Sequence, residues 1–129
     1  LFKNLLSEAG LIVVLHDEYF KDPTTSDHKW LKKVGAMGWL MVTGDQRTEG
    51  DYLFLDNLKR TKSHVFILCG LNHADPKERA GCIINAYSEM CILSDKNAGP
   101  RLWKAAANSP VKPVDFRHII GKLKRYGRN

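Results

Sequence analysis

Three acid-bearing segments decide what chemistry this chain could do. They are His16-Asp17-Glu18-Tyr19-Phe20, Ser26-Asp27-His28-Lys29-Trp30 and Thr43-Gly44-Asp45-Gln46-Arg47. Each acid follows a strongly apolar run or opens a helical pattern. In α/β folds such positions gather at one end of a parallel sheet, where ligand sites form. Carboxylates brought together there suit hard dications such as Mg²⁺ or Mn²⁺, which prefer oxygen ligands. Two such ions about 3.5–4 Å apart can cleave a phosphodiester, one activating water and the other stabilising the leaving oxygen. Without a cation between them, the same carboxylates would repel and raise one another's pKa.

Each acid also has a plain structural use. Asp27 falls in the first turn of a helical pattern, where it complements the helix dipole, and so does Asp51. Asp45 follows Thr43-Gly44, and Gly-Asp pairs are common in turns. Asp17 and Glu18 could solvate a loop. Glu49 and Asp56 read as surface residues. No other nucleophile or metal set competes with these acids. The histidines show no zinc-ligand spacing, the serines sit in no nucleophile elbow, and no Gly-rich phosphate loop is present.

The elements that must hold the acids can be traced in the apolar pattern. Leu1, Phe2, Leu5, Leu6 and Ala9 give a helical face stopped by Gly10. Leu11-Ile12-Val13-Val14-Leu15 is a continuous β-branched run, expected to be a strand buried on both faces. Asp22 to Ser26 reads as a turn with Ser26 as N-cap of a helix through Trp30, Leu31, Val34 and Met37. Trp39–Thr43 and His64–Cys69 read as buried strands, with a helix between them from Asp51 to Thr61. A longer helix runs from Pro76 to about Leu93, with Ala80, Ile83, Ile84, Tyr87 and Cys91 on its apolar side. Leu102–Ala105 reads as a further strand, and Pro110 and Pro113 keep the next segment irregular or at a sheet edge. Helix and strand alternate with short connections, which predicts a three-layer α/β/α sandwich around a parallel sheet.

The bulk properties narrow the class further. A chain of 129 residues with 43% hydrophobic content supports one domain with a substantial core. No stretch reaches the roughly 18 consecutive apolar residues of a membrane span. The three cysteines sit in apolar surroundings and fit buried thiols in a reducing, cytoplasmic compartment. A formal net charge of +6 favours a polyanionic partner, nucleic acid first. The excess concentrates in Arg117 to Arg128, which contains no acid and reads either as a solvated tail or as a phosphate-binding arm.

Taken in order, these motifs resemble the PIN-like domains, the ribonuclease fold of VapC-type toxins in toxin–antitoxin systems. The likeness rests on Leu15-His16-Asp17-Glu18-Tyr19-Phe20, Asp27-His28-Lys29-Trp30, Thr43-Gly44-Asp45-Gln46-Arg47, the Leu-rich helix Leu53 to Leu58 and the strand Val65 to Leu68. It covers the first 70 residues well and the last 40 poorly. The PIN-like unit is therefore placed at 1–99, and 100–129 is read as a strand or edge segment with a basic tail.

The resemblance implies Mg²⁺- or Mn²⁺-dependent cleavage of RNA. Asp27, Asp45 and Asp51 would bind metal, and Asp17 would join Asp27 and Asp45 in catalysis. Arg47, Lys59, Arg60, Lys122, Lys124 and Arg125 would hold RNA phosphates. RNA, an antitoxin protein and a second copy of the chain are the partners it implies. The family opens with an Asp-bearing central strand for which this chain has no counterpart. That strand is expected from residues upstream of Leu1 or from another chain. On sequence grounds, a non-catalytic nucleic-acid- or partner-binding module, and a phosphatase or DNase on a similar sheet, stay open.

Overall fold

The strand His64–Cys69 is apolar on both sides. Its side chains alternate, sending Val65 and Ile67 into one cluster and Phe66 and Leu68 into another. Such a strand requires a layer of helices on each face. The computed structural model describes residues 2–13, 27–70, 75–106 and 109–125, apart from the side chains of 2, 27, 28 and 123–125. The elements in chain order are α1 (Phe2–Glu8), α2 (Asp27–Ala36), β1 (Leu40–Thr43), a 3₁₀ turn (Gln46–Gly50), α3 (Tyr52–Leu58) and β2 (His64–Cys69). They continue with α4 (Pro76–Lys96), β3 (Arg101–Ala106), β4 (Ser109–Val114) and α5 (Phe116–Arg125).

The strands form one open sheet in the order β1-β2-β3-β4. β1, β2 and β3 run parallel, with Leu40 opposite His64 and His64 opposite Arg101. The expected α/β/α sandwich is present, with one difference: β4 is antiparallel. Only residues 107–108 separate it from β3, and so short a link can join antiparallel neighbours but not make a parallel crossover.

On one face α2, α3 and α5 bury Trp30, Leu31, Val34, Phe54, Leu55, Leu58, Phe116 and Ile120 against Val65, Ile67 and Leu102. On the other, α1 and α4 bury Leu6, Ala80, Ile83 and Met90 against Phe66, Leu68, Trp103 and Ala105. α2 ends where Gly38 takes φ +69°. The Trp39 N–H then turns back to the Val34 carbonyl, as left-handed C-terminal caps do. Close packing also fixes Gly99, where an added Cβ would come within 2.1 Å of the Lys62 carbonyl oxygen.

Several expectations need correction. Leu11–Val13 forms no regular element, and Ile12 is 97% exposed, while Leu11 and Val13 pack on the second cluster. The described part of that run is therefore buried on one side only; Val14, Leu15, the 22–26 turn and Ser26 lie outside the described residues. On α4 the inward stripe is Ala80, Ile83, Met90 and the partly buried Ala86 and Leu93, so Ile84 and Tyr87 turn to solvent. Through residue 125 the basic C-terminal stretch is a helix rather than a tail. Phe116 and Ile120 are buried, so apolar contact holds it to the sheet.

The last strand is an edge, as its prolines require. Pro110 and Pro113 offer no N–H, and a register irregularity interrupts the pairing with β3 between Lys104 and Ala106. The Val111 N–H in this interrupted stretch donates to the Glu89 carboxylate of α4 at 2.8 Å. Among the described residues no helix is long and apolar enough to cross a membrane.

Candidate functional site

Topology decides where the acids lie. α2 precedes β1 and packs against it, so its first residue, Asp27, sits at the carboxyl end of that strand. Asp45 follows β1 directly at the same end. α3 precedes β2 in the same way, which brings Asp51, at its N-terminus, to this end too. Sequence and topology thus place the backbones of Asp27, Asp45 and Asp51 along one end of the sheet. Asp17 lies outside the described residues, and so does the side chain of Asp27.

The turn after β1 is built by its own polar side chains. The Asp45 N–H donates to Thr43 Oγ1 at 3.1 Å. Asp45 then caps the 3₁₀ turn, accepting the Arg47 N–H at Oδ1 at 3.0 Å. The Arg47 guanidinium closes on the same carboxylate, with Nε to Oδ1 and Nη2 to Oδ2 both at 3.0 Å. This fork is the strong bidentate geometry of arginine with a carboxylate. The bonded guanidinium holds the Asp45 carboxyl below the usual carboxylate range. Asp45 is 47% exposed and Arg47 91% exposed, so the pair stands in solvent.

The neighbouring acids are engaged as well. Glu49 Oε1 pairs with Lys104 Nζ at 2.8 Å, tying the 3₁₀ turn to β3. Sequence reading leaves Glu49 on the surface and passes over Lys104, whose place on the strand face next to Leu102 is the only signal for it. Asp51 Oδ1 caps α3 by accepting the Phe54 N–H at 3.2 Å. Asp75 caps α4, accepting the Glu78 N–H at 2.8 Å.

The basic residues divide between the two ends of the sheet. Lys59 and Arg60 follow α3, whose C-terminal end faces the start of β2, and both pair with Asp56 at 3.1 Å. They are therefore not brought together with Asp45. α5 runs the other way. It starts just after β4 returns to the amino end of the parallel strands, and it packs against the 3₁₀ turn. Ten residues of helix span about 15 Å, most of the length of a six-residue strand. Its last turns, with Lys122, Lys124 and Arg125, thus approach the end that holds Asp45.

A model of the PIN-like domain matches residues 1–70, more than half of the chain. The chain belongs to the PIN-like family. No curated protein and no solved structure matches it. The PIN-like match contains Asp17, Asp27, Asp45, Asp51 and Arg47, and it stops at Gly70 just after β2. β3, β4 and α5 lie beyond it, although β3 pairs with β2 along its whole length.

Nuclease members of such a family imply a dication, so the donor set matters. Among the described residues, no group of three or more His, Cys, Asp and Glu side chains could hold a metal ion. Asp45, Glu49 and Asp51 are each bonded within the chain instead. In this arrangement the described side chains of the PIN-like domain do not fit a bound dication.

The cysteines offer no alternative chemistry. Cys69, Cys82 and Cys91 are free thiols, and burial pushes the Cys82 pKa up, away from the reactive thiolate.

Proposed function

We propose that this PIN-like chain is an endoribonuclease that requires Mg²⁺ or Mn²⁺ and acts as the toxin of a toxin–antitoxin pair, with an antitoxin protein as its partner. One observation carries the reading: the parallel strands gather Asp27, Asp45 and Asp51 at one end, and the basic helix α5 runs toward that same end. An acidic end supplies oxygen donors for a hard cation, while flanking lysines and arginines hold a polyanionic strand near it. Arg47, Lys122, Lys124 and Arg125 would contact phosphates. A dication bound there would supply Lewis acidity and activate water. The chain's own residues position the RNA and provide the charge that recruits the ion.

Cleavage of a labelled single-stranded RNA in Mn²⁺ tests this reading. Asp27→Asn and Asp45→Asn are each expected to abolish cleavage, because each removes a carboxylate charge. Wild-type cleavage by both variants would refute it. Growth arrest on expression, absent in the Asp45→Asn variant, is the expected sign of a toxin.

A second reading is a nucleic-acid-binding module without catalysis. The observation favouring it is that the described acids at this end are all engaged within the chain. RNA binding that weakens steeply with salt, with no Mn²⁺-dependent cleavage, would select it.

A further inference from the structure

We propose that Arg47 is an internal counter-cation that occupies Asp45 and must leave before a dication can bind there. The inference deepens the nuclease reading and rests on it. An acid placed where a metal ligand is wanted is already saturated by its own chain.

The geometry is specific. Asp45 Oδ1 receives two N–H groups of Arg47, from the backbone and from Nε, and Oδ2 receives a third, from Nη2. A dication approaching either oxygen meets a guanidinium already lying 3.0 Å from it. Like charges at such spacing repel, and the carboxylate lone pairs that would ligate the ion are spent on N–H donors.

The same pair is built to open. The Arg47 side chain is 91% exposed, so releasing it buries nothing and uncovers no apolar surface. Exposed ion pairs contribute little to stability, because water replaces the partner at small cost. The backbone N–H of Arg47 still caps Asp45 after the side chain leaves, so the 3₁₀ turn need not unfold. Glu49 differs: its partner Lys104 sits on β3 and is only 40% exposed, so that pair braces the turn. Arg47 is thus the more readily displaced of these two cations, and Asp45 is the acid it would free.

Calorimetric titration of Mn²⁺ into the full chain tests this, comparing wild type with Arg47→Gln, Asp45→Asn, the double variant and Lys96→Gln. Lys96 is exposed at the far end of α4 and controls for loss of one positive charge. Arg47→Gln is expected to bind Mn²⁺ about fivefold tighter than wild type, in keeping with the modest strength of an exposed pair. Lys96→Gln should match wild type, and Arg47→Gln should gain nothing once Asp45 is Asn. Binding in Arg47→Gln where wild type shows none would support the proposal equally.

The failures are distinct. If Asp45→Asn weakens Mn²⁺ binding but Arg47→Gln leaves it unchanged, the counter-cation is refuted while the metal site stands. Equal tightening by Lys96→Gln refutes it too, by assigning the effect to net charge. No Mn²⁺ binding by wild type or Arg47→Gln overturns both this proposal and the metal-dependent reading beneath it.

Discussion

Acidification should loosen this fold through one histidine. His64, at the start of β2, is 8% exposed, and Trp103 Nε1–H of β3 donates to its Nδ1 at 3.3 Å. A ring nitrogen that accepts an N–H carries no proton, so the imidazole is neutral with its hydrogen on Nε2. Burial is the main cause lowering its pKa from the ordinary 6.5; the Asn97 backbone opposes this, and the charge of Arg101 adds to it. The folded pKa therefore lies below the unfolded one. The stability this gives is complete above about pH 6.5 and is lost as pH falls from there toward the folded value. For one such group the loss between pH 7.5 and 5.5 is at most about 1.4 kcal/mol. His64→Asn supplies an acceptor for Trp103 without a titrating ring. Urea unfolding followed by tryptophan fluorescence at both pH values should show a larger loss in wild type than in His64→Asn. Equal losses in the two proteins would refute the argument.

Two other substitutions separate local roles. Asp51→Ala should cost about 1 kcal/mol by removing the α3 cap, whereas Asp51→Asn should stay within a few tenths, because asparagine caps equally well; thermal unfolding of both variants checks this. Gly99→Ala should destabilise by about 1–3 kcal/mol, since its Cβ would collide with the Lys62 carbonyl and force backbone apart. Denaturant midpoints compared with wild type would show it, and an unchanged midpoint would mean that this loop yields freely.

Elements were legible in the sequence to the degree that burial dictates residue type. His64–Cys69 was legible to the residue, because a strand covered on both faces must be apolar at every position. The start of α4 was legible at Pro76, and Asp75 caps it. Elsewhere local signals conflicted with tertiary ones. Pro110 and Pro113 argue against a strand, yet an edge tolerates them where no partner needs their N–H. In α5 the density of basic residues hid the spacing of Phe116, Ile119 and Ile120, which the sheet face selects. At the candidate site, the sequence placed Asp27, Asp45 and Asp51 at one end through the alternation of elements. It did not foresee their internal partners. The Glu49–Lys104 pair joins a turn to a distant strand, and no local pattern encodes it. Lys59 and Arg60 were grouped with the acids by charge alone, and the direction of α3 carries them to the opposite end.

The two margins of the sheet have different capacities for growth. Along β4, the prolines, the broken register and the Glu89 carboxylate leave no regular ladder for another strand to join. β1, with its Leu-Met-Val-Thr sequence, carries none of these guards. A sheet that can be extended on only one side cannot propagate. Chains that meet through β1 would consume the sole available margin on each, so that mode of association stops at a pair and cannot run on into a fibre.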